Sequence, residues 1–248
     1  MVWTTFTPEQ LTVVSRWLCM PFILLITYTL KIYLVVFYWT RRREARVRLL
    51  FVAAALGVAC VIPFANPNEC AVDRLNDVSE SCSVLTFLLQ ITIIGRDLNR
   101  KIKFRAMLIL TYMAELLIVA DTVLVLLSLA DTLGTSLFSI DVQMMHPNIS
   151  QTVTLAFVFV FRYYYIVASR GWCDVWTNRK TEVVWYLLFA THELPFVALE
   201  KASGLPWEPV QALWHRVTLA GALGTTARSK LSTGRSKVTN APASQWSS

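Results

Sequence analysis

The sequence predicts an all-α membrane protein, a bundle of seven transmembrane helices with the N-terminus outside and the C-terminus in the cytoplasm. Composition is the first reason. Of the 248 residues, 55% are hydrophobic and only 16% are charged, which is more apolar surface than one soluble core can bury. The hydrophobic residues also form long runs without the alternation of a strand, which favours helices. Finally, most Lys and Arg residues fall in the gaps between these runs.

Seven runs are long enough to cross a membrane. A helix needs about 20 mostly apolar residues to span about 30 Å of hydrocarbon, and somewhat shorter runs are tolerated where the bilayer thins. The seventh run is interrupted by Gln211, His215 and Arg216, so a helix lying along the membrane surface is an alternative for it. The runs are residues 17–39, 49–65, 78–96, 106–129, 152–169, 183–199 and 207–225.

The positive charges predict the orientation. Seventeen of the 23 Lys and Arg residues lie in alternate gaps and the C-terminal tail, and only three lie in the other gaps. Cytoplasmic loops carry the excess of Lys and Arg, so the basic gaps are assigned to the cytoplasm. The gap 130–151 is then outside, and it holds the single Asn-X-Ser/Thr sequon, at Asn148, which is predicted to be glycosylated. The net charge of +7 follows from this topology, and no nucleic-acid partner is expected.

A disulfide is predicted between Cys70 and Cys82, because the two bracket the outer loop of residues 66–82. Closing a loop of this size stabilises a fold by about 3 kcal/mol in the chain-entropy model. The alternative is two unpaired thiols. Asp77 and Glu80 have the spacing of a capping box, so Glu80 is interpreted as a residue that caps the third helix.

Residues 1–225 are predicted to form one seven-helix domain, since no low-complexity linker interrupts them. Residues 226–248 are basic and rich in Ser and Thr, which predicts a disordered cytoplasmic tail. The first span is expected to act as a signal anchor, and the chain is expected in the plasma membrane or another membrane of the secretory pathway. Its expected partners are the lipid bilayer, a small ligand or solute, and a cytoplasmic signalling partner at the basic loops.

Polar residues inside the spans are the candidate functional site, because each is costly unless it faces the bundle interior and finds a partner. Counted at about 1.5 Å per residue from the cytoplasmic end of each span, eight of them lie about 9–15 Å deep in one coarse layer. Asp121, nearer the outer face, and Pro195 complete the candidate ligand-binding set. The eight are Lys31, Gln90, Glu115, Arg162, His192, Glu193, His215 and Arg216.

Two ion pairs are expected in this layer. One joins Lys31 to Glu115, and the other joins Glu193 to Arg162 or Arg216. Snorkelling of Lys31 and Arg162 toward the headgroups is the alternative, because their long stems reach from about two turns deep.

The stretch ATHELPF, residues 190–196, places His192, Glu193 and Pro195 in the middle of the sixth run. Pro195 has no amide hydrogen for the carbonyl of Thr191, and its ring crowds that turn. The sixth helix is therefore predicted to kink here and to leave a carbonyl free. A free carbonyl, a carboxylate and an imidazole together predict a binding point.

No enzyme activity, metal site or cofactor is expected. The sequence contains no Gly-rich phosphate loop, no nucleophile elbow and no paired-cysteine metal motif. His192, Glu193 and His215 lie on only two helices and offer no ligand pair at i, i+4 spacing, so they do not predict a metal site.

Seven helices, an outside N-terminus, a candidate disulfide at the outer end of the third helix, basic cytoplasmic loops and a Ser/Thr-rich tail resemble the layout of seven-helix G-protein-coupled receptors. The resemblance covers the topology of the whole chain. The third helix ends in GRDLNRK without an Asp/Glu-Arg-Tyr triplet, and the seventh has neither Asn-Pro-x-x-Tyr nor a Lys for a retinal Schiff base. The resemblance implies a receptor that senses a ligand through the buried polar centre.

A small-solute or ion-coupled transporter is the alternative. In a three-plus-one-plus-three arrangement, spans 1–3 and 5–7 would be parallel repeats. Two correspondences favour this arrangement. Pro63 and Pro195 occupy similar positions in spans 2 and 6, and Lys31-Ile-Tyr and Arg162-Tyr-Tyr open similar stretches in spans 1 and 5.

Overall fold

The computed structural model describes residues 8–65, 69–102, 105–132, 147–205 and 207–239. Every regular element in these ranges is a helix, which confirms the all-α prediction. Short 3-10 turns follow the first and second helices. The α-helices are α1 (Pro8–Tyr38), α2 (Ala45–Val61), α3 (Glu69–Ile102), α4 (Arg105–Thr132), α5 (Pro147–Arg170), α6 (Trp172–Asn178), α7 (Lys180–Ala190), α8 (Leu194–Ser203) and α9 (Glu208–Thr239).

All seven predicted runs fall mainly in helices of the described residues. Fewer of these helices are both long enough and apolar enough to cross a membrane. Among the described residues, α1, α3, α4 and α5 contain helices long and apolar enough to cross, and α7 with α8 makes a fifth if the bent pair is one span. α2 has only 17 residues, and α9 carries His215 and Arg216 in its first half. These helices are consistent with a multi-pass integral membrane protein.

The long segments pack in sequence order around a closed ring. Each one contacts the next, from α1 through α2, α3, α4, α5 and α7 to α9, and α9 returns to contact α1. The short helix α6 connects α5 and α7 and contacts both. α3 also contacts α5 across the ring. Of the residues in the most apolar stretch of α3, 89% are buried. α3 therefore occupies the centre of the bundle.

Side-chain contacts fix the direction of each segment. Arg41, just after α1, binds Asp97 near the end of α3, so α1 and α3 run the same way. Arg46, near the start of α2, binds Glu115 in the first half of α4, and Glu115 also binds Arg96 near the end of α3. α2 and α4 therefore run against α3.

The remaining segments follow the same alternation. Gln151, at the start of α5, donates to Glu80 in the first half of α3. Glu182, at the start of α7, binds Arg162 in the second half of α5. The upper end of the bundle is defined here as the end at which α1, α3, α5 and α9 begin, and the lower end as the opposite one.

The outer surface of the bundle is apolar. On α1, large side chains such as Trp17, Leu25 and Val36 are more than half exposed, and on α4 so are Ile109 and Leu116. The interior, by contrast, contains many buried polar and charged side chains. This distribution is typical of a protein whose outer surface faces lipid, where polar residues turn toward the bundle interior.

The predicted disulfide is wrong, because Cys82 is a free and fully buried thiol. Helix α3 begins at Glu69, so most of the expected loop is helical and Cys70 and Cys82 lie on the same helix. Twelve residues of helix separate their Cα atoms by about 18 Å, whereas a disulfide needs about 4.4–6.8 Å. Cys82 instead faces α2, where its Cβ is 3.1 Å from the position of a Cβ built on Gly57. The side chain of Cys70 lies outside the described residues.

The C-terminal tail begins as a helix. α9 continues without a break to Thr239, so the helix extends into the segment for which a disordered cytoplasmic tail is predicted. Extending an existing helix costs far less than starting one, and the segment contains no proline before residue 242. Residues 240–248 lie outside the described part of the chain.

Two glycines of α9 give a matched test of its packing against α7. A Cβ added at Gly221 would fall on the indole of Trp185, whereas a Cβ at Gly224 meets nothing within 4 Å. We expect Gly221→Ala to destabilise the fold by about 1–3 kcal/mol through overpacking. Gly224→Ala is expected to be neutral or to stabilise it by up to about 1 kcal/mol, because alanine favours the helix. Thermal unfolding in detergent measures both, and equal melting temperatures would contradict this packing.

Candidate functional site

Three side chains from separate segments meet in the upper half of the bundle and are called the upper cluster: Glu80 of α3, His192 after α7, and His215 of α9. The Oε1 atom of Glu80 lies 2.8 Å from Nδ1 of His215 and 3.3 Å from Nε2 of His192. The two imidazole nitrogens are 3.0 Å apart. Both histidines are buried, and the side chain of Glu80 is only 12% exposed.

The break between α7 and α8 positions His192. α7 ends at Ala190, residues 191–193 form a turn, and α8 starts with Pro195 in its first turn, where a proline is tolerated. The two helices are bent by 49°, which confirms the predicted kink. The Thr191 carbonyl is not free, however. It accepts a hydrogen bond from the amide of Leu194 at 3.2 Å, because the turn closes with a three-residue step.

Neighbouring groups orient the upper cluster. The side-chain amide of Gln151 in α5 donates to Oε1 of Glu80 at 2.7 Å. Nδ1 of His192 lies 3.0 Å from the carbonyl oxygen of Phe189. Since a carbonyl only accepts, Nδ1 carries a proton and, in the neutral ring, Nε2 presents its lone pair to the cluster. Glu193 lies at the edge, with its Oε1 3.9 Å from Nε2 of His192 and its side chain 24% exposed.

Two further buried cations contact α3, Arg216 next to the upper cluster and Lys31 further along the helix. Arg216 is fully buried, and its Nη2 donates to Oγ of Ser79 at 3.1 Å. The Ser79 hydroxyl in turn donates to the Gly57 carbonyl of α2 at 2.7 Å. Lys31 of α1 donates to Oγ1 of Thr86 at 3.2 Å. Polar contacts therefore connect α3 to α1, α2 and α9, and they place positive charge near Glu80.

The lower cluster comprises Arg162 of α5, Glu182 and Tyr186 of α7, and Thr226 of α9. Nη2 of Arg162 donates to Glu182 at 2.7 Å and to Thr226 at 3.1 Å, and the Tyr186 hydroxyl lies 2.8 Å from that of Thr226. The Arg162 guanidinium also stacks over the ring of Tyr165 at 4.9 Å, a favourable cation–π contact. All four members are buried, so this ion pair is shielded from water.

An aromatic layer separates the two clusters. Phe87 of α3 contacts the rings of Tyr186 and Phe189 of α7, and Phe189 contacts both imidazoles of the upper cluster. Glu182, Tyr186 and Phe189 recur every three or four residues and so lie along one face of α7, and His192 follows in the turn after the helix. This face of α7 therefore connects the lower cluster to the upper one.

Only some of the predicted site residues come together. His192 and His215 join the upper cluster, Arg216 lies beside it and Glu193 lies at its edge, whereas Lys31 binds Thr86 further along α3. Arg162 belongs to the lower cluster. Three others lie elsewhere: Gln90 is buried in α3, Asp121 of α4 accepts from Thr154 at 3.3 Å, and Glu115 lies near the lower end.

The two expected ion pairs do not form, and their members bind other residues. Glu115 binds Arg46 and Arg96, and Lys31 binds Thr86. Depth along a helix was the basis of the prediction, and depth does not determine which neighbour a helix face meets. Arg162 pairs with Glu182 and not with Glu193. Neither Lys31 nor Arg162 reaches toward the headgroups, since both side chains are buried.

Sequence reasoning missed two carboxylates, Glu80 and Glu182. Glu80 was interpreted as a cap because α3 was expected to begin near residue 78, but the helix starts at Glu69 and Glu80 lies well inside it. Glu182 lies just outside the sixth predicted run, which begins at residue 183, but the structure places it in the first turn of α7. The missed signal was the same in both cases: each carboxylate lies one turn or less from an expected span boundary, where an error of a few residues moves it into the bundle.

The buried ion pair of the lower cluster gives a test of its energetic role. Glu182→Gln leaves the Arg162 charge buried without its carboxylate, and we expect it to destabilise the fold by about 3–5 kcal/mol. Glu44→Gln is the matched control, because Glu44 pairs with Arg41 but is 47% exposed, and its loss is expected to cost less than about 1 kcal/mol. Thermal unfolding measures both variants. Similar losses would show that burial does not govern this pair.

No protein-family model, no curated protein and no solved structure matches this chain. The function is therefore inferred from the geometry of the two clusters and from the bundle that holds them.

Proposed function

We propose that this protein is a receptor-like membrane protein that binds a small ligand at the upper cluster and transmits the binding event along α7 to its lower end. The observation that carries this proposal is that one face of α7, with Glu182, Tyr186 and Phe189, leads from the lower cluster to His192 in the turn after the helix. A displacement of His192 by ligand would reach the Arg162–Glu182 pair through packed side chains.

The proposal includes seven membrane crossings, with the upper end outside. What supports it is the closed ring of seven alternating segments together with the charge asymmetry. Arg41, Arg46 and Arg96 lie at the lower end in ion pairs with carboxylates, and cytoplasmic ends carry the excess of such residues. In this arrangement α2 crosses as a short helix in a locally thin bilayer, and α9 crosses because its polar residues face the bundle interior.

The break between α7 and α8 gives the moving part. Helix breaks are common hinges, because a few residues at the ends of two helices absorb the change in backbone angles. Here the hinge residues 191–193 include His192 and Glu193, so a ligand that contacts them acts directly on the hinge. The lower ends of α5, α7 and α9 meet at the lower cluster, where a cytoplasmic signalling partner would sense their separation.

A transporter is the second candidate, and the same break favours it. Many secondary transporters bind their substrate at discontinuous helices in the interior of the bundle, and the α7–α8 break lies beside buried charges. The ring order gives no additional support to a three-plus-one-plus-three repeat, since each segment packs on the next one along the chain.

A label at Cys173 tests the receptor proposal. Cys173 is exposed in α6, whereas Cys19, Cys60 and Cys82 are buried, so an environment-sensitive fluorophore can be attached there in a Cys70→Ser background. We expect His192→Ala to shift the emission of this label, because α6 contacts α7 at the lower end. Asp121→Asn is the control and is expected to leave the emission unchanged. Equal spectra for all three proteins would contradict coupling between the clusters.

Flux measurements on the same protein separate the two candidates. Reconstituted vesicles are loaded with a pH-sensitive dye, or with labelled amino acids and sugars, and the gradient is followed in time. The receptor proposal expects the rate of protein-free vesicles. Flux that is abolished by Glu193→Gln but kept in Glu200→Gln, an exposed carboxylate of α8, would overturn it in favour of a transporter.

Glycosylation at Asn148 tests the orientation. The upper end is proposed to be outside, and Asn148 belongs to the first turn of α5 at that end; its side chain lies outside the described residues. We expect an N-glycosidase to reduce the apparent mass of the protein expressed in eukaryotic cells, and Asn148→Gln to remove the shift. Modification of a sequon introduced at residues 171–173, at the lower end, would instead reverse the orientation.

A further inference from the structure

We propose that the upper cluster is a binding site for a divalent transition metal of the zinc class, held by Glu80, His192 and His215. The three ligand atoms, Oε1 of Glu80, Nε2 of His192 and Nδ1 of His215, all lie within 4.8 Å of one another. They come from α3, the α7–α8 turn and α9. This inference rests on the proposed function in one respect, which is that both take the upper cluster as the ligand site.

The distances fit a metal ion. The three atoms form a triangle with sides of 2.8, 3.0 and 3.3 Å. An ion about 2.1 Å from each atom, the usual zinc–ligand distance, lies about 1 Å out of the plane of this triangle. No ligand atom has to move by more than a few tenths of an ångström, and three ligands leave one position of a tetrahedral zinc ion for another group.

The hydrogen-bonding pattern also calls for a cation. The proton on Nδ1 of His192 points to the Phe189 carbonyl, so in the neutral ring Nε2 offers a lone pair. Oε1 of Glu80 offers lone pairs as well. Nδ1 of a neutral His215 has at most one proton to share between these two acceptors, and a metal ion accepts electron pairs from all three atoms at once.

Two of the three ligands, His192 and Glu80, have the surroundings of metal ligands. Metal-binding histidines usually donate their second ring nitrogen to a carbonyl or carboxylate, and metal-binding carboxylates are themselves hydrogen-bonded. Phe189 has the first role toward His192, and Gln151 has the second toward Glu80 at 2.7 Å. Both contacts orient a ligand atom toward the cluster. The partly exposed side chains of Glu80 and Glu193 give the ion a route from the upper end.

The ligand set indicates the class of ion and its role. Two imidazoles and one carboxylate with an open position form a recurrent zinc site, and such sites bind an exogenous ligand at that position. The nearby guanidinium of Arg216 would favour an anionic ligand there, such as a carboxylate. The metal would join α3, α9 and the α7–α8 hinge, and the open position would be the point at which the small ligand binds.

Metal binding is measured on the full-length protein in detergent, stripped with a chelator and titrated with Zn²⁺ or Co²⁺. We expect one ion per chain, together with visible Co²⁺ absorption bands of a low-symmetry site. Glu80→Gln and His192→Gln are expected to weaken binding at least tenfold, and Gln151→Leu to weaken it about tenfold. His192→Cys keeps a ligand and is expected to add a thiolate-to-cobalt charge-transfer band, which a merely structural role would not produce.

Matched controls separate the site from general metal adsorption. Asp121→Asn removes a buried carboxylate of α4, and His146→Asn removes the third histidine of the chain; both are expected to bind Zn²⁺ as the unmodified protein does. Unchanged binding in Glu80→Gln and His192→Gln, or no stoichiometric ion in the unmodified protein, would overturn the proposal in favour of a proton shared among the three groups. A bound ion with no response of the Cys173 label supports the metal site and overturns only the receptor proposal.

Discussion

Every charged group inside this bundle must find its partner on another segment of the same chain, since hydrocarbon supplies neither water nor counter-ions. The constraint acts most strongly on α3, which lies at the centre. Its Ser79 binds Gly57 and Arg216, and its Thr86 binds Lys31. Its Glu80 meets both histidines of the upper cluster and Gln151. These contacts reach α1, α2, α5, α9 and the turn after α7, so satisfying the polar groups of α3 also sets the arrangement of the ring around it.

The two clusters divide the interior into an upper and a lower polar region with aromatic rings between them. The rings of Phe87 and Phe189 are in contact between the two regions, so an apolar layer separates the ionic groups of one cluster from those of the other. Low local polarity strengthens each of these interactions and raises the cost of breaking one. In the proposed receptor, a change in the partners of His192 would reach Arg162 through the side chains packed along α7.

The break between α7 and α8 is stabilised locally, and this explains how a bundle interior tolerates it. The Thr191 carbonyl accepts from Leu194, and the amides of Phe196 and Val197 both bind the Glu193 carbonyl, so these backbone groups of the turn are satisfied. The turn places His192 toward α9 and leaves Glu193 partly exposed. Consecutive side chains in a continuous helix also point about 100° apart. What the break adds is the 49° change of direction between α7 and α8.

Composition and the hydrophobic runs were sufficient to predict an all-α membrane bundle and the approximate positions of its long helical segments, because hydrophobicity and helix length are local properties. Proline chemistry was sufficient to predict the kink at Pro195. The partners of the buried charges could not be predicted, since they depend on the rotation of each helix about its axis, and a boundary error of a few residues changes that rotation. The tertiary structure therefore decided that Glu80, and not Glu193, meets both histidines, that Arg162 pairs with Glu182, and that Cys82 faces α2 from within a continuous helix. Sequence determined that polar groups within the hydrophobic runs had to be satisfied inside the bundle, and packing determined which carboxylates joined them and which neighbours they met.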